Sequence, residues 1–195
     1  MWNKIPAMKF PHSIAVILFS AIFILSTGCS TESGSKTENV PDGKSKESIS
    51  GIEFFLIQDF STIENTNGQI DENTIVLDEE PLIGYHDIIR YNTEEYAFTI
   101  SDNGAGAIQK LEHSVRGVPF AVVADGELIY TGYFWPSYSS VSCDWMVIDP
   151  MMISADHEMK VRAGYPGLPQ GMTIPDRRND ERILQILRTD GKLIL

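Results

Sequence analysis

VPFAVVADGELIYTGYF, residues 118–134, is the stretch that decides the fold of this chain. Val118 to Ala124 is apolar on both faces, which predicts a central strand of a sheet. Asp125-Gly126 stands between apolar flanks and predicts a two-residue type I′ turn. Glu127 to Phe134 is then the returning strand. The sequence therefore predicts a β-hairpin over residues 118–134.

An amphipathic helix is predicted directly before the hairpin. Ser101-Asp102-Asn103 offers candidate N-cap residues. The apolar side chains of the predicted buried face recur at i, i+3 and i+7: Ile108, Leu111 and Val115. Arg116-Gly117 supplies a cation and a stop glycine, so we expect the helix to end there. His113 falls on the polar face of this helix, where we expect it to be exposed.

Short runs of apolar, aromatic and β-branched residues predict five further strands: Ile52–Gln58, Thr74–Leu77, Tyr96–Ile100, Asp144–Ile148 and Met159–Arg162. A second helix is predicted at Arg178–Arg188. The order strand–helix–strand–strand, followed by more strands and a final helix, predicts an α+β fold. Its sheet is antiparallel or mixed, and its helices pack on one face. Residues 51–195 are long enough to form a single domain around one hydrophobic core.

The first 28 residues have the features of a secretory signal in the expected order. Lys4 and Lys9 give a basic start, Ile14–Leu25 is almost entirely apolar, and small residues precede Cys29. The apolar run is too short for a comfortable membrane span. We expect cleavage after residues 1–28, with an uncleaved N-terminal membrane helix as the alternative.

The run Leu25-Ser26-Thr27-Gly28-Cys29 resembles the lipobox of bacterial lipoproteins. The resemblance implies that a diacylglycerol is added to the Cys29 thiol and that acyl chains such as palmitate anchor the protein. It also implies an extracytoplasmic location, lipid-anchored to a bacterial membrane. Residues 29–50 are rich in Ser and poor in large apolar side chains, which predicts a flexible tether. Met8 is a second candidate start codon, because a basic residue and an apolar run follow it.

The charge of the mature chain limits its partners. After removal of residues 1–28, 13 Lys and Arg face 27 Asp and Glu, which gives a net charge of −14. Such a surface repels phosphate backbones and anionic headgroups, so we expect no nucleic acid as a partner. If Cys29 carries lipid, Cys143 is the only thiol left and no disulfide can form within the chain.

Gly117 to Tyr130 resembles part of the extracytoplasmic domain of SecD-type protein-export subunits, in which a strand, an Asp-Gly turn and a second strand follow a helix. Gly104 to Ala107 lies at the matching helix start, and Glu80 to Ile88 resembles the lead-in. The resemblance covers residues 75–135 and implies a ferredoxin-like α+β core. It implies a shared fold and a surface that contacts exported or unfolded polypeptide. It does not extend to the membrane spans of SecD proteins, and so it does not imply translocase activity.

No motif predicts catalytic residues, a cofactor or a metal site. Cys143 heads an apolar segment, where a lone thiol is more often a small buried side chain than a nucleophile. His86-Asp87 and Glu112-His113 are adjacent in sequence, but a catalytic pair must also meet a nucleophile in space. Asp156-His157-Glu158 lacks the third and fourth ligands of a zinc site. An envelope hydrolase that uses Cys143 or a histidine, and a small-ligand binder, remain as alternatives.

The segment from Tyr130 to Tyr138 is the richest aromatic stretch, and it supplies the candidate binding surface: Tyr133, Phe134, Trp135 and Tyr138. Three of these rings are consecutive, so one face of a strand cannot bury them all. Aromatic clusters are favoured in peptide and ligand grooves. Packing in the core is the alternative. We therefore predict a non-catalytic binding or accessory module of the cell envelope that contacts protein or peptide.

Overall fold

The computed structural model describes residues 51–153 and 157–194. The predicted signal peptide (residues 1–28), the lipidation site Cys29 and the predicted tether (residues 29–50) lie outside the described residues. So does Asp156. Within residues 51–153 and 157–194, no helix is long and apolar enough to cross a membrane.

A nine-stranded sheet forms the centre of the fold. Its strands are Ile52–Asp59 (β1), Val76–Leu77 (β2), Ile88–Asn92 (β3), Ala97–Ile100 (β4), Val118–Ala124 (β5), Glu127–Phe134 (β6), Cys143–Ile148 (β7), Glu158–Tyr165 (β8) and Leu193–Ile194 (β9). Their order across the sheet is β2-β1-β5-β6-β7-β8-β4-β3-β9. The pairs β6–β7 and β3–β9 are parallel and the others are antiparallel. The predicted α+β class, with a mixed sheet and additional strands, is confirmed.

The predicted hairpin is confirmed in its strands and its turn. Ala124 pairs with Glu127, and Asp125 and Gly126 between them have φ angles of 49° and 82°. Positive φ at both central residues defines the type I′ turn that suits the twist of a hairpin. Val122 pairs with Tyr130 and Val123 with Leu128, so Ile129 is an extra residue in β6. This bulge turns both Ile129 and Tyr130 toward the same core.

Two α-helices pack on one side of the sheet, Asp102–Gln109 (α1) and Glu181–Thr189 (α2). The Ser101 hydroxyl accepts a hydrogen bond from the amide of Gly104, which confirms the predicted N-cap. The predicted end of α1 at Arg116-Gly117 is wrong. Ile108 is fully buried, whereas Val115 is 49% exposed. Leu111 still packs partly against the helix-side core, but no buried side chain at Val115 continues the apolar face of a longer helix.

α2 begins later than predicted because Asp180 caps it. The carboxylate of Asp180 accepts a hydrogen bond from the amide of Arg182. The chain between Arg177 and Asp180 is a turn, closed by a hydrogen bond from the Asp180 amide to the Arg177 carbonyl. Ile183 and Leu187 of α2 are fully buried against the sheet.

Each face of the sheet has its own hydrophobic core. The helix-side core contains both helices and four phenylalanines of the sheet: Phe54, Phe98, Phe120 and Phe134. The rings of Phe54 and Phe98 are 5.3 Å apart, although β1 and β4 are five positions apart in the strand order. The sheet therefore curls around this core.

The opposite face is covered by an irregular segment, residues 60–75, which we call the strap. Phe60, Ile70 and Ile75 of the strap pack against residues of β6 and β7, which together form the strap-side core. The strap lies where β6 and β7 separate, since these two strands pair only at Tyr133–Val147 and Phe134–Ile148. It fills the gap that the short parallel pairing leaves.

Candidate functional site

The structure corrects the predicted aromatic binding surface. Tyr133, Phe134 and Trp135 are 4%, 0% and 3% exposed, and only Tyr138, at 57%, is accessible. Phe134 points into the helix-side core, where its ring lies 4.9 Å from that of Phe120. Tyr133 and Trp135 belong to the strap-side core. Consecutive rings can all be buried here because both faces of β6 are covered at its end.

Tyr138 belongs to a group of exposed apolar side chains that we call the distal surface: Val115, Tyr138, Met151 and Met152. Hydrogen bonds bring these residues together. The Ser139 hydroxyl donates to the carbonyl of Val115 (2.6 Å), on one side of Tyr138. On the other side, the Asp149 carboxylate accepts from the amides of Ser137 (3.2 Å) and Met151 (3.0 Å). The four side chains thus lie around one loop at the ends of β6 and β7.

The distal surface is at the opposite end of the hairpin from the first described residue. The amide of Gly51 donates to the Asp125 carboxylate (2.7 Å) in the β5–β6 turn, which we call the proximal end. Val115 precedes β5 and Tyr138 follows β6, so both lie at the other end of these strands. The eight residues of β6 span about 26 Å at the usual rise of a strand.

Beside the distal surface lies a cavity of about 340 Å³, which we call the aromatic pocket. Three rings line it, with centroids 6.1 Å apart for Phe60 and Tyr133 and 5.7 Å apart for Tyr133 and Trp135. The Trp135 indole nitrogen is buried and has no hydrogen-bond partner among the described residues. Arg116 is the only charged residue in the lining, and within residues 51–153 and 157–194 no carboxylate forms an ion pair with it.

A buried polar network fixes the strap that forms one wall of this pocket. The Glu72 carboxylate accepts from the amide (3.1 Å) and the hydroxyl (3.3 Å) of Thr131. Trp145 donates its indole N–H to the same hydroxyl (2.9 Å). Arg177 forms an ion pair with the other oxygen of Glu72. Since Thr131 is 0% exposed, the three hydrogen bonds at Thr131 replace ones that water cannot supply, whereas the Arg177–Glu72 ion pair is partly exposed.

A second anchor lies closer to the pocket. The amide of Asn67 donates to the Asp144 carboxylate (2.9 Å), and the amide of Asp144 donates to the Asn67 carbonyl (3.0 Å). Gly68 follows, with a φ of 96°, and the nearest atoms to its missing side chain belong to Cys143 and Tyr133. The strap therefore passes directly over the pocket floor, and its hydrogen bonds preform the wall.

Cys143 is placed as a core residue. It is 1% exposed. Burial raises the pKa of its thiol to about 12, and Asp144 adds to the rise, while a backbone hydrogen bond at Trp145 partly offsets it. A thiol with this pKa is not a thiolate at neutral pH, and the thiolate is the reactive form.

The histidine and acid pairs do not assemble into a nucleophilic site. His86 Nε2 lies 3.2 Å from Asp87 Oδ2, and the Ser101 hydroxyl donates to the other oxygen of Asp87 (2.5 Å). The order of contacts is thus Ser101–Asp87–His86, whereas a serine nucleophile needs the histidine beside it. Asp87 also accepts from Asn103, so its role here is to hold the start of α1.

The other two histidines of the described chain are also separate. His157 Nδ1 lies 3.2 Å from the exposed carboxylate of Asp102. The prediction that His113 lies exposed on a helix face is wrong, because α1 ends before it and both ring nitrogens are buried, with no hydrogen-bond partner among the described residues. Among the described residues, no group of three His, Cys, Asp or Glu side chains could hold a metal ion.

Sequence reasoning missed the strap and Arg116 as parts of a site. No helix or strand was predicted between Gln58 and Thr74, although Ile70 in that segment is 1% exposed. Isolated apolar residues such as Phe60 and Ile70 in a polar run were the available signal. Arg116 was assigned to a helix end, where a cation has a structural explanation.

The sequence matches no model of a known protein family and no curated protein, and the structure matches no solved structure.

Proposed function

We propose that this chain is a non-catalytic binding module of the bacterial cell envelope, held to a membrane by lipid on Cys29, and that it contacts a protein or peptide through the distal surface. The location rests on the signal and lipobox patterns of residues 1–29. The binding role rests on the described domain. These two parts have separate tests.

One observation carries the binding role, the exposure of four apolar side chains around a single loop. Val115, Tyr138, Met151 and Met152 are 49%, 57%, 48% and 69% exposed. Single exposed apolar residues are ordinary, but a contiguous group at one end of a domain is typical of an interaction surface. Tyrosine supplies rigid contact area, and methionine adapts its shape to different partners.

The position of the distal surface agrees with anchoring at the N-terminus. The chain enters the described domain at Gly51, beside the β5–β6 turn. A lipid on Cys29, connected through residues 29–50, would join the domain at that proximal end. The point of attachment is then at the other end of the β5–β6 hairpin from the distal surface, so the tether does not cover that surface.

Site-specific photo-crosslinking in intact cells tests the binding role. The photoreactive residue p-benzoylphenylalanine replaces Tyr138 or Met152 at the distal surface, or the exposed Gln185 of α2 near the proximal end as a matched control. We expect discrete adducts with polypeptide from Tyr138 and Met152 and none from Gln185. Equal adducts from all three positions, or none from the distal pair, would refute the distal surface as the contact site.

The variant Cys29→Ala tests the location. We expect it to appear in the soluble extracytoplasmic fraction, because removal of the thiol removes the acyl anchor. Ser142→Ala, an exposed change elsewhere in the chain, should leave the protein in the membrane fraction. Firm membrane attachment of Cys29→Ala would mean that an uncleaved N-terminal helix holds the protein.

A further inference from the structure

We infer that the aromatic pocket binds the carboxyl-terminal residue of a polypeptide, with the apolar terminal side chain against Tyr133 and Trp135 and the terminal carboxylate at Arg116. This inference rests on the proposed function, since it names the part of the partner that the module holds. It also adds a site that is separate from the distal surface.

The pocket has the size and lining of a ligand site. Its volume of about 340 Å³ lies near the lower end of the range for small-ligand cavities, about 300 to 1,000 Å³. Phe60, Tyr133 and Trp135 are its aromatic lining residues, and Thr62, Thr66 and Ser142 are among its polar ones. A single large apolar or aromatic side chain fits this space, whereas a folded element such as a helix does not.

The charge of the lining selects a carboxylate. Arg116 is exposed, and among the described residues it has no ion-pair partner, in contrast to four other arginines that each pair with a carboxylate: Arg177, Arg178, Arg182 and Arg188. In the part of the chain that the structure describes, no acidic residue lines the pocket. The negative net charge of the chain acts from farther away, and salt screens it beyond about 8 Å at physiological ionic strength. A guanidinium binds a carboxylate through two parallel hydrogen bonds, which neither a neutral amide nor a hydroxyl can match.

A buried donor in the same lining also needs an acceptor. The Trp135 indole N–H has no partner within residues 51–153 and 157–194. A buried donor without an acceptor costs free energy, of about 1 to 3 kcal/mol. This nitrogen is shielded from solvent, so a ligand in the pocket does not reach it as the ring stands, and Arg116 alone selects the carboxylate.

The pocket opens beside the distal surface, which favours a polypeptide over a free small acid. Arg116 follows Val115 in the chain, and the hydroxyl of Tyr138 donates to the carbonyl of His113 (3.4 Å). A peptide whose last residue fills the pocket can therefore continue across Val115 and Tyr138. A free aromatic acid would use the pocket alone and gain nothing from the distal surface.

Peptide binding to the full chain, purified in detergent, tests the inference. The probes are fluorescein-labelled hexapeptides that end in Gly-Ser-Gly-Phe, one with a free carboxylate and one with a carboxamide. Fluorescence polarisation should give at least tenfold tighter binding for the free acid, which is 1.4 kcal/mol. Arg116→Gln should reduce this ratio to about one, and Arg116→Lys should keep part of it, because the point charge remains without the planar fork. Lys110→Gln, which removes the same charge from the exposed end of α1, should change nothing.

Each other result has a definite meaning. If acid and amide bind equally and Arg116→Gln has no effect, the pocket does not hold a carboxyl terminus. If 3-phenylpropionate alone binds as tightly as the free-acid peptide, the occupant is a small ligand and not a polypeptide. If no peptide binds, the inference fails, yet adducts from Tyr138 in the crosslinking experiment would still support the proposed function.

Discussion

The two ends of the β5–β6 hairpin differ in how completely their polar groups are paired. At the proximal end, the Asp125 carboxylate accepts from the amide of Gly51 (2.7 Å). Arg182 of α2 reaches the carboxylates of both Glu127 (3.1 Å) and Asp180 (2.8 Å). At this end, therefore, polar groups of the turn, of the first described residue and of the start of α2 are all paired with one another.

The distal end leaves comparable groups without partners. Among the described residues, the Trp135 indole N–H has no acceptor and Arg116 has no ion pair, and Met152 is 69% exposed. Local rules of folding are usually broken where function requires it. The difference between the ends teaches that paired polar groups close the fold at the proximal end, whereas the proposed binding role draws on the groups left unpaired at the distal end. Four tests can break or sharpen this comparison.

The largest change in the free energy of unfolding is expected at Phe134, where the aromatic stretch from Tyr130 to Tyr138 enters the helix-side core. Phe134→Ala should lower the free energy of unfolding by about 3–5 kcal/mol, because it leaves a cavity beside Phe120 in the helix-side core. Tyr138→Ala, four residues later, should change it by less than about 0.5 kcal/mol, because its ring is mostly in water. Urea denaturation measures both, and similar losses would contradict the division of this segment between core and surface.

Glycines at the two ends of β5 provide the second test. Gly117 has a φ of 74°, and a side chain there would meet Trp135 at 2.8 Å. Gly126 has a φ of 82° with open space around it. Gly126→Ala adds only backbone strain, about 1 kcal/mol, whereas Gly117→Ala adds overpacking against the pocket floor and should cost about 2–4 kcal/mol in total. Thermal unfolding of the two variants should separate them, and equal losses would mean that the distal end is not tightly packed.

The third test loosens the strap without changing the proximal end. Glu72→Ala removes the acceptor of two hydrogen bonds from buried Thr131 and leaves Arg177 unpaired. We expect a loss of about 1–3 kcal/mol. Hydrogen exchange should become faster in residues 60–75, while the amides of α2 stay protected. The exposed change Glu64→Ala in the same strap should have no such effect, and uniform loss of protection in Glu72→Ala would mean that the strap is not a separate unit.

The sequence could predict features that depend on neighbouring residues, but not features that depend on contacts between distant segments. The hairpin was predictable because its turn residues, Asp125 and Gly126, and its apolar strands are adjacent in the chain. The end of α1 was not, because the periodicity that includes Val115 says nothing about whether a core lies opposite it. β3 was also missed. Ile88 is buried and Ile89 is 52% exposed, and the irregular register between Ile88 and Arg90 hides the strand's alternation in the sequence.

The candidate site was the least predictable part. Tyr133 and Trp135 are covered because residues 60–75 return over β6, a contact between segments that are distant in sequence. The sequence identified the aromatic stretch as important, but not which rings would be accessible. Arg116 is recognised as a site residue only when the lining of the pocket is known. Its neighbours in the chain do not show that it lacks a carboxylate partner among the described residues.

Glu53 provides the smallest test, because it is an exception at the proximal end. Its side chain is on β1 next to the first described residue and is 6% exposed, and burial together with the nearby charge of Glu80 raises the pKa of its carboxyl group. A raised pKa means that the folded state favours the protonated form, so stability falls as pH rises from the usual value of 4.5 through the raised value. Glu53→Gln removes the charge and keeps the shape, and it should therefore stabilise the protein at pH 7 by less than about 1 kcal/mol.

The two proteins should be equally stable at pH 4, where the wild-type carboxyl group is largely protonated. Urea denaturation at both pH values measures the difference. If Glu53→Gln were destabilising at pH 7, the Glu53 carboxylate would have a stabilising partner in the fold, and the proximal end would be as completely paired there as it is at Asp125.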